Sequence, residues 1–463
     1  MSALWKFLWF IVAVSVLVTV HEFGHYWVAR RLGFKVLRFS VGFGKPLFSK
    51  VAGPDRTEYV IASIPLGGYV KMLDEREGPV APADLARSFT RKPPWQRILV
   101  LLAGPASNIL FAVLVLWGMF WWTGTTEATP LVGEVTADSV AARAGLRTDD
   151  QITAVNGAAV TSERDVVFDL LDAMSSHGIA ALTVQRTDGT TRVATLSVPD
   201  SATRVRLTEP TELLKGLGFD FAAPPIPPVL GDVTPGGPAA RAGLQKGDRI
   251  VSIGGAPIND FRDVVTHIRP HPGDQVTIVY QRADFNHVLG DHTVQVRIGS
   301  ADGGNGKLTG RIEAGAAPLV TLPNRYFLHT DFTLGGALNR ATQEAWGETL
   351  MQGRLVMRML TGHVSVKNLS GPLSIAEYAG DSADAGAATF LDFLVTISLS
   401  LGFLNMLPIP ILDGGQIVFQ AVEWLKGSPL SERAQAFGMQ VGIALLILLM
   451  GVAFFNDIAR QFS

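Results

Sequence analysis

The chain has 463 residues, of which 48% are hydrophobic and 17% charged, and its formal net charge is −2. That balance excludes the basic surface of a nucleic-acid binder and points to an integral membrane protein with sizeable soluble parts. There is no cysteine, so disulfides, thiolate metal ligands and thiol nucleophiles are excluded together.

The chain opens on an apolar run, about residues 4–29, that reads as a membrane-spanning helix. Its start resembles a signal peptide. However, Lys6 is the only basic residue at its start, no small-residue cleavage site follows, and the run contains His21-Glu22-Phe23-Gly24-His25. On a helix the two histidines lie about 40° apart around the axis, so both imidazoles point one way. Two neutral imidazoles supply two of the three protein ligands that a catalytic Zn²⁺ needs. Glu22 beside them can act as general base on a metal-bound water. Three ionisable groups in a span are costly and call for a functional or pairing reason.

Further spans are expected at about residues 98–122, 390–405 and 435–455. Arg30, Arg31, Lys35, Arg38, Lys45 and Lys50 follow the first span, Arg91, Lys92 and Arg97 precede the second, and Lys426 and Arg433 lie between the third and fourth. The positive-inside rule puts these loops in the cytoplasm and both termini and residues 123–388 outside. His21 then lies roughly 25 Å along its helix, toward the cytoplasmic end.

Between the first two spans, residues 59–72 read as two short strands around Pro65-Leu66-Gly67-Gly68, a hairpin signal. Two readings stand: an ordinary cytoplasmic hairpin, or a sheet that dips to the metal site and offers an edge to an extended substrate. Residues 74–95 are polar and proline-rich, a linker or lid. The second span opens with Ala103-Gly104-Pro105-Ala106-Ser107-Asn108, small residues that allow close helix packing and one amide inside the membrane.

The external segment contains a repeat. Gly133-Glu134-Val135 and Ala141-Ala142-Arg143-Ala144-Gly145-Leu146 recur 98 residues later as Gly231-Asp232-Val233 and Ala239-Ala240-Arg241-Ala242-Gly243-Leu244. A matching strand follows each, and Asp149 in the first copy stands where the second has Gly247. The pair resembles tandem bacterial PDZ domains, which implies α+β folds at 126–211 and 212–313. Gly216-Leu217-Gly218-Phe219 is similar to a PDZ carboxylate-binding loop. That implies that the second copy receives peptide C-termini there and that the first builds its groove differently. A pure spacer or size filter is the competing reading.

In residues 323–388, Leu338, Ala341, Thr342, Ala345, Trp346, Thr349, Leu350, Val356, Met357 and Leu360 recur at helical spacing. An amphipathic helix on the outer leaflet fits, as does a soluble packing helix. Ser370-Gly371-Pro372 then reads as a breaker before a short helix. The third span ends in Asn405-Met406-Leu407-Pro408-Ile409-Pro410-Ile411-Leu412-Asp413-Gly414-Gly415. Two prolines cannot continue a helix, and unwound backbone at membrane depth needs cover. Asp413 at such a break suits a third zinc ligand; the alternative is an N-cap on residues 416–426. Asn405 can hydrogen-bond a substrate carbonyl or a developing oxyanion.

In this order the motifs resemble the site-2 protease family of intramembrane zinc metalloproteases. The resemblance covers nearly the whole chain, most specifically His21 to His25 and Asn405 to Gly415. It implies that His21, His25 and Asp413 bind one Zn²⁺ and that Glu22 activates the water. Asn405 would help bind the substrate backbone, and Gly67, Gly68, Tyr69 and Val70 would pair with it. The implied substrate is a single-span membrane protein already cut once outside, an anti-sigma factor, with signal-peptide remnants as a second class. The PDZ pair would exclude substrates whose external domain is still attached, and the location would be the bacterial inner membrane. A scaffold that had lost activity would lack Glu22 or Asp413, and a metal transporter would carry ionisable groups along its fourth span.

The expected architecture is therefore a multi-pass α-helical membrane protein with four transmembrane helices, a cytoplasmic-side hairpin and two external PDZ domains. Its segments are 1–30, 31–96, 97–122, 126–211, 212–313, 323–388, 389–415, 416–434 and 435–456.

Overall fold

The computed structural model describes residues 3–209, 211–283, 289–302, 307–317 and 323–461. The chain begins with α1 (Ala3–Arg31), an apolar helix whose last turn carries Arg30 and Arg31, cations that complement its free carbonyls. Two long strands follow, β1 (Val36–Ala52) and β2 (Thr57–Met72). Next comes α2 (Pro94–Thr123), which starts on a proline because a first-turn residue needs no intrahelical N–H bond. The intervening segment 74–93 forms two short 3₁₀ turns, pinned by Lys35–Asp84 and Arg87–Asp55 ion pairs of 2.7 Å each.

The expected hairpin turn at Pro65–Gly68 is corrected by the strand register. β1 and β2 are joined at residues 53–56, where Gly53 and Arg56 take positive φ. The Pro-Leu-Gly-Gly stretch is a bend within β2, and β1 bends likewise at Gly42 and Gly44. Residues 46–52 pair with 57–62, while residues 36–41 pair with both 58–61 and 68–72. Gly68 to Met72 is thus an outermost segment of the sheet, and β2 packs on α1.

Residues 125–317 contain two successive α+β units with separate cores. Each has a four-stranded antiparallel sheet and a two-stranded pair: Val132–Val135 with Phe219–Phe221 in the first, Leu230–Val233 with Ala314–Ala316 in the second. Their main helices, α3 (Glu163–Ser176) and α4 (Phe261–Ile268), both open on capping boxes, Ser162 with Asp165 and Asp260 with Asp263. Asp149 and Gly247 occupy the same left-handed turn, with φ of 70° and 93°.

The loop Gly216 to Phe219 belongs to the first unit, which corrects both its assignment to the second and the expected boundary at 211/212. Leu213, Leu217 and Phe219 are buried in the first core. The Gly218 carbonyl accepts from the Thr136 N–H at 2.9 Å and the Ser139 hydroxyl at 3.2 Å. The strand that closes each unit follows that unit's sheet in the chain, so the loop read as a preface to the second repeat completes the first.

α5 (Leu334–Leu360) buries Ala337, Ala341 and Ala345 against Ala112, Leu116 and Phe120 of α2. Its bulky apolar residues Leu338, Trp346, Leu350, Met357 and Leu360 face outward. α6 (Pro372–Ala385) leans on α1 through Lys6, which pairs with Glu377 and Asp381 at 3.3 and 2.8 Å. α7 (Ala387–Asn405), α8 (Asp413–Lys426) and α9 (Glu432–Gln461) complete the chain. Asp457 in α9 accepts the N–H groups of Gly371, Leu373 and Ser374, so the Ser-Gly-Pro stretch is where α9 holds the start of α6. Among the described residues, four helices are long and apolar enough to cross a membrane: α1, α2, α7 and α9. This is a membrane protein that also carries β-sheet. α2 is its hub, packed against α1, α5, α7 and α8.

Candidate metal centre

One turn of α1 presents His21 and His25 toward α2, with their Nε2 atoms 3.2 Å apart. Asp413 Oδ2 lies 3.1 Å from the first Nε2 and 3.4 Å from the second. Among the described residues these three form the one such cluster of potential metal ligands. His25 is 7% exposed. Its Nδ1 donates to the Val100 carbonyl at 2.7 Å, which leaves Nε2 as a lone pair. His21 Nδ1 faces the Asn108 amide at 3.5 Å. Asp413 Oδ2 is buried without a hydrogen-bond donor. Converging acceptors that no proton bridges are stable around a cation. A tetrahedral ion with bonds of 2.0–2.1 Å has donor atoms about 3.3 Å apart, and the three separations match that edge. Two imidazoles and one carboxylate are donors that suit Zn²⁺.

Asp413 reaches the histidines because α7 stops at Asn405 and the chain restarts as α8 beyond Pro408 and Pro410. Leu412 holds the N-cap position, so Asp413 is the first helical residue and not the cap. Gly414 and Gly415 let α8 start against its own approach. A Cβ on the first would sit 2.3 Å from the Met406 carbonyl oxygen, and one on the second 2.2 Å from that of Ile409. Gln416 Nε2 donates back to the Pro410 carbonyl at 2.6 Å.

Glu22 is half-buried beside the pair of histidines. Gly68 packs at the same place, where an added Cβ would be 3.1 Å from Glu22 Cγ. Gly67 and Tyr69 turn to Phe43 instead; Tyr69 stacks on that ring and accepts from Arg38 at 3.1 Å. Asn405 closes α7 half-buried, and its amide has no hydrogen-bond partner among the described residues. The Val100 carbonyl was not foreseeable from sequence, since a backbone acceptor leaves no side-chain signature.

The model of peptidase family M50 matches residues 9–449. The regulator of sigma-E protease RseP of Escherichia coli strain K12 is 39% identical over 99% of this chain and 100% of its own. The regulator of sigma E protease of Salmonella typhi is 40% identical over 99% and 100%. A Neisseria meningitidis protein provisionally named a zinc metalloprotease is 40% identical over 97% and 98%.

Proposed function

The chain belongs to peptidase family M50, and from that premise we propose that it makes the second, intramembrane cut in single-span membrane proteins, with His21, His25 and Asp413 holding one Zn²⁺ and Glu22 as general base. The convergence of three lone-pair atoms at 3.1 to 3.4 Å beside Glu22 carries this reading. Bound zinc supplies Lewis acidity, lowering the pKa of water to about 7 and polarising a peptide carbonyl. Glu22 takes the proton of the attacking water and returns it to the leaving amine.

A substrate helix must unwind to expose its scissile carbonyl, and its freed backbone groups need partners in the bilayer. The outermost segment Gly68 to Met72 offers them by strand addition, with Gly67, Gly68, Tyr69 and Val70 as the pairing stretch. The unpaired Asn405 amide donates to the substrate backbone or the developing oxyanion. Substrates are anti-sigma factors trimmed outside and signal-peptide remnants; relatives bear the name of sigma-E regulators.

The two α+β units act as tandem PDZ domains outside the inner membrane that turn away substrates with a bulky external domain. In the second unit, peptide C-termini enter a groove of about 390 Å³ between α4 and residues 309–314, lined by Val264, Val265, Ile268 and Ile312. The corrected position of Gly216 to Phe219 makes that loop the first unit's counterpart. The basic loops face the cytoplasm, both termini lie outside, and the metal centre opens toward the cytoplasmic side.

The test is the full chain in proteoliposomes with a trimmed single-span substrate. Glu22→Gln should retain stoichiometric zinc and lose cleavage; cleavage at the wild-type rate would sink the mechanism.

A further inference from the structure

α8 carries Asp413 at its first position and Glu423 ten residues on, about 15 Å along the axis. At that far end Glu423 accepts two hydrogen bonds from the Arg97 guanidinium of α2, at 2.5 and 3.1 Å. Arg97 is 5% exposed. Phe89 stacks near the same guanidinium, 6.0 Å from ring centroid to Cζ. A buried ion pair adds little net stability over an apolar pair, and in some proteins its service is to fix how two elements meet. The planar, two-pronged geometry of Arg with a carboxylate makes that fixing directional.

α8 packs along α2, and its Phe419 ring lies against Gly438 of α9, but Arg97–Glu423 is the charged, directional contact between α8 and α2. Val418, Val422, Trp424 and Leu425 are exposed, and the Gln416 bond to Pro410 stays within the approach to the helix. α2 meanwhile orients the histidines, through Val100 for His25 and Asn108 for His21. Arg97 sits three residues before Val100 on that helix. One rigid loop therefore runs from the histidines through α2, Arg97, Glu423 and α8 back to Asp413.

We infer that Arg97 and Glu423 are positioning residues of the catalytic centre, their ion pair setting α8 on α2 so that Asp413 stands at bonding distance from a metal shared with His21 and His25. This rests on the reading of those three residues as metal ligands. The shift required to spoil the site is small. Outer partners of metal ligands typically contribute 10–100-fold to affinity, and a lever of ten residues transmits a tilt at Glu423 to Asp413.

The test uses the full-length protein in detergent with Glu423→Gln and Arg97→Lys, the latter keeping the buried charge so that the fold is retained. Zinc affinity is measured by chelator competition, and kcat and KM by cleavage of a single-span substrate at saturating zinc. Both variants should bind zinc about tenfold more weakly and lower kcat with KM within twofold of wild type. Asp413→Ala is the reference. If Asp413→Ala binds zinc as wild type does, the metal-site reading itself fails. If Asp413→Ala loses zinc while Arg97→Lys keeps wild-type affinity, the positioning inference alone is overturned. Raised KM with intact kcat overturns it as well.

Discussion

His25 Nδ1 donates to the Val100 carbonyl at 2.7 Å, and this one contact decides which nitrogen of the ring faces Asp413. A carbonyl only accepts, so the proton stays on Nδ1 and the lone pair on Nε2. α2 thus sets the chemistry of a residue on α1, 75 positions away in the chain.

Asn108 should do the same for His21. It is fully buried, its Nδ2 faces His21 Nδ1 at 3.5 Å, and its Oδ1 has no partner. Turning the amide over gives Oδ1 the His21 N–H and leaves that oxygen paired. Asn108→Ala is expected to weaken zinc binding about 10–100-fold, and Asn108→Asp, which keeps an acceptor, to weaken it less. Chelator competition reads both, and equal affinity in all three proteins would remove Asn108 from the site.

The break before α8 gives a second prediction. A Cβ on Gly414 meets two carbonyl oxygens, those of Met406 at 2.3 Å and Leu407 at 2.4 Å, and neither belongs to a flexible side chain. Gly414→Ala should therefore push the start of α8 outward, carry Asp413 with it and cut zinc affinity at least tenfold. Gly451→Ala in α9 is the control, since nothing lies within 4 Å of its added Cβ. There the substitution should be neutral or stabilise by up to about 1 kcal/mol. Equal zinc retention in the two variants would show that the tight turn does not locate Asp413.

What could be read in the sequence was local. His21, Glu22 and His25 share a helical turn, and the prolines near Asp413 announce a break without any knowledge of the fold. Proline and glycine at 65–68 report a local change of direction and say nothing about which segment the strand pairs with next, so a bend within β2 carries the same signal as a hairpin turn. Gly216 to Phe219 gives no local sign of the unit it completes for a related reason. The repeat offset links residues 133–157 to 231–255, but Phe219–Phe221 and Ala314–Ala316, which close the two units, share no sequence likeness. In α5 the apolar positions at helical spacing mix two faces. Its alanines pack on α2 because small side chains allow close approach, and the bulky residues point away. Arg97 and Glu423 lie 326 residues apart and carry no motif at all.

The repeat units offer a stability prediction. Asp248 is 1% exposed and accepts two bonds of 2.7 Å from Arg282, plus the Gln245 N–H at 2.7 Å. Asp150, its counterpart, likewise accepts a backbone N–H, that of Arg147 at 2.9 Å, but its arginine, Arg186, comes no nearer than 3.6 Å. Arg282→Ala strands a buried carboxylate. It should destabilise the second unit by about 2–3 kcal/mol, the low side of the range for a broken buried pair because Arg282 is a third exposed. Arg186→Ala should cost under about 1 kcal/mol. Hydrogen exchange in strands Arg249–Ile253 and Gln151–Val155 measures the two separately, and matching losses would refute the ranking.

The second unit should also respond to acid through Asp260. The Arg262 guanidinium, followed by the N–H groups of Arg262 and Ile226, holds this carboxyl down at about 2 against an ordinary 3.8. The folded value lies below the unfolded one, so the stabilisation is fully present above pH about 4 and disappears as pH falls toward 2. Its size is about 1 kcal/mol, because half-exposed Arg262 is screened by water. Asp260→Asn should therefore lower protection of α4 by about 1 kcal/mol at neutral pH. Below pH about 2 the variant and the wild type should converge, since the Asp260 carboxyl is then protonated and both carry an uncharged side chain at the cap. A gap between them that stays constant from pH 7 to pH 2 would assign the effect to the cap's shape and deny any share to its charge.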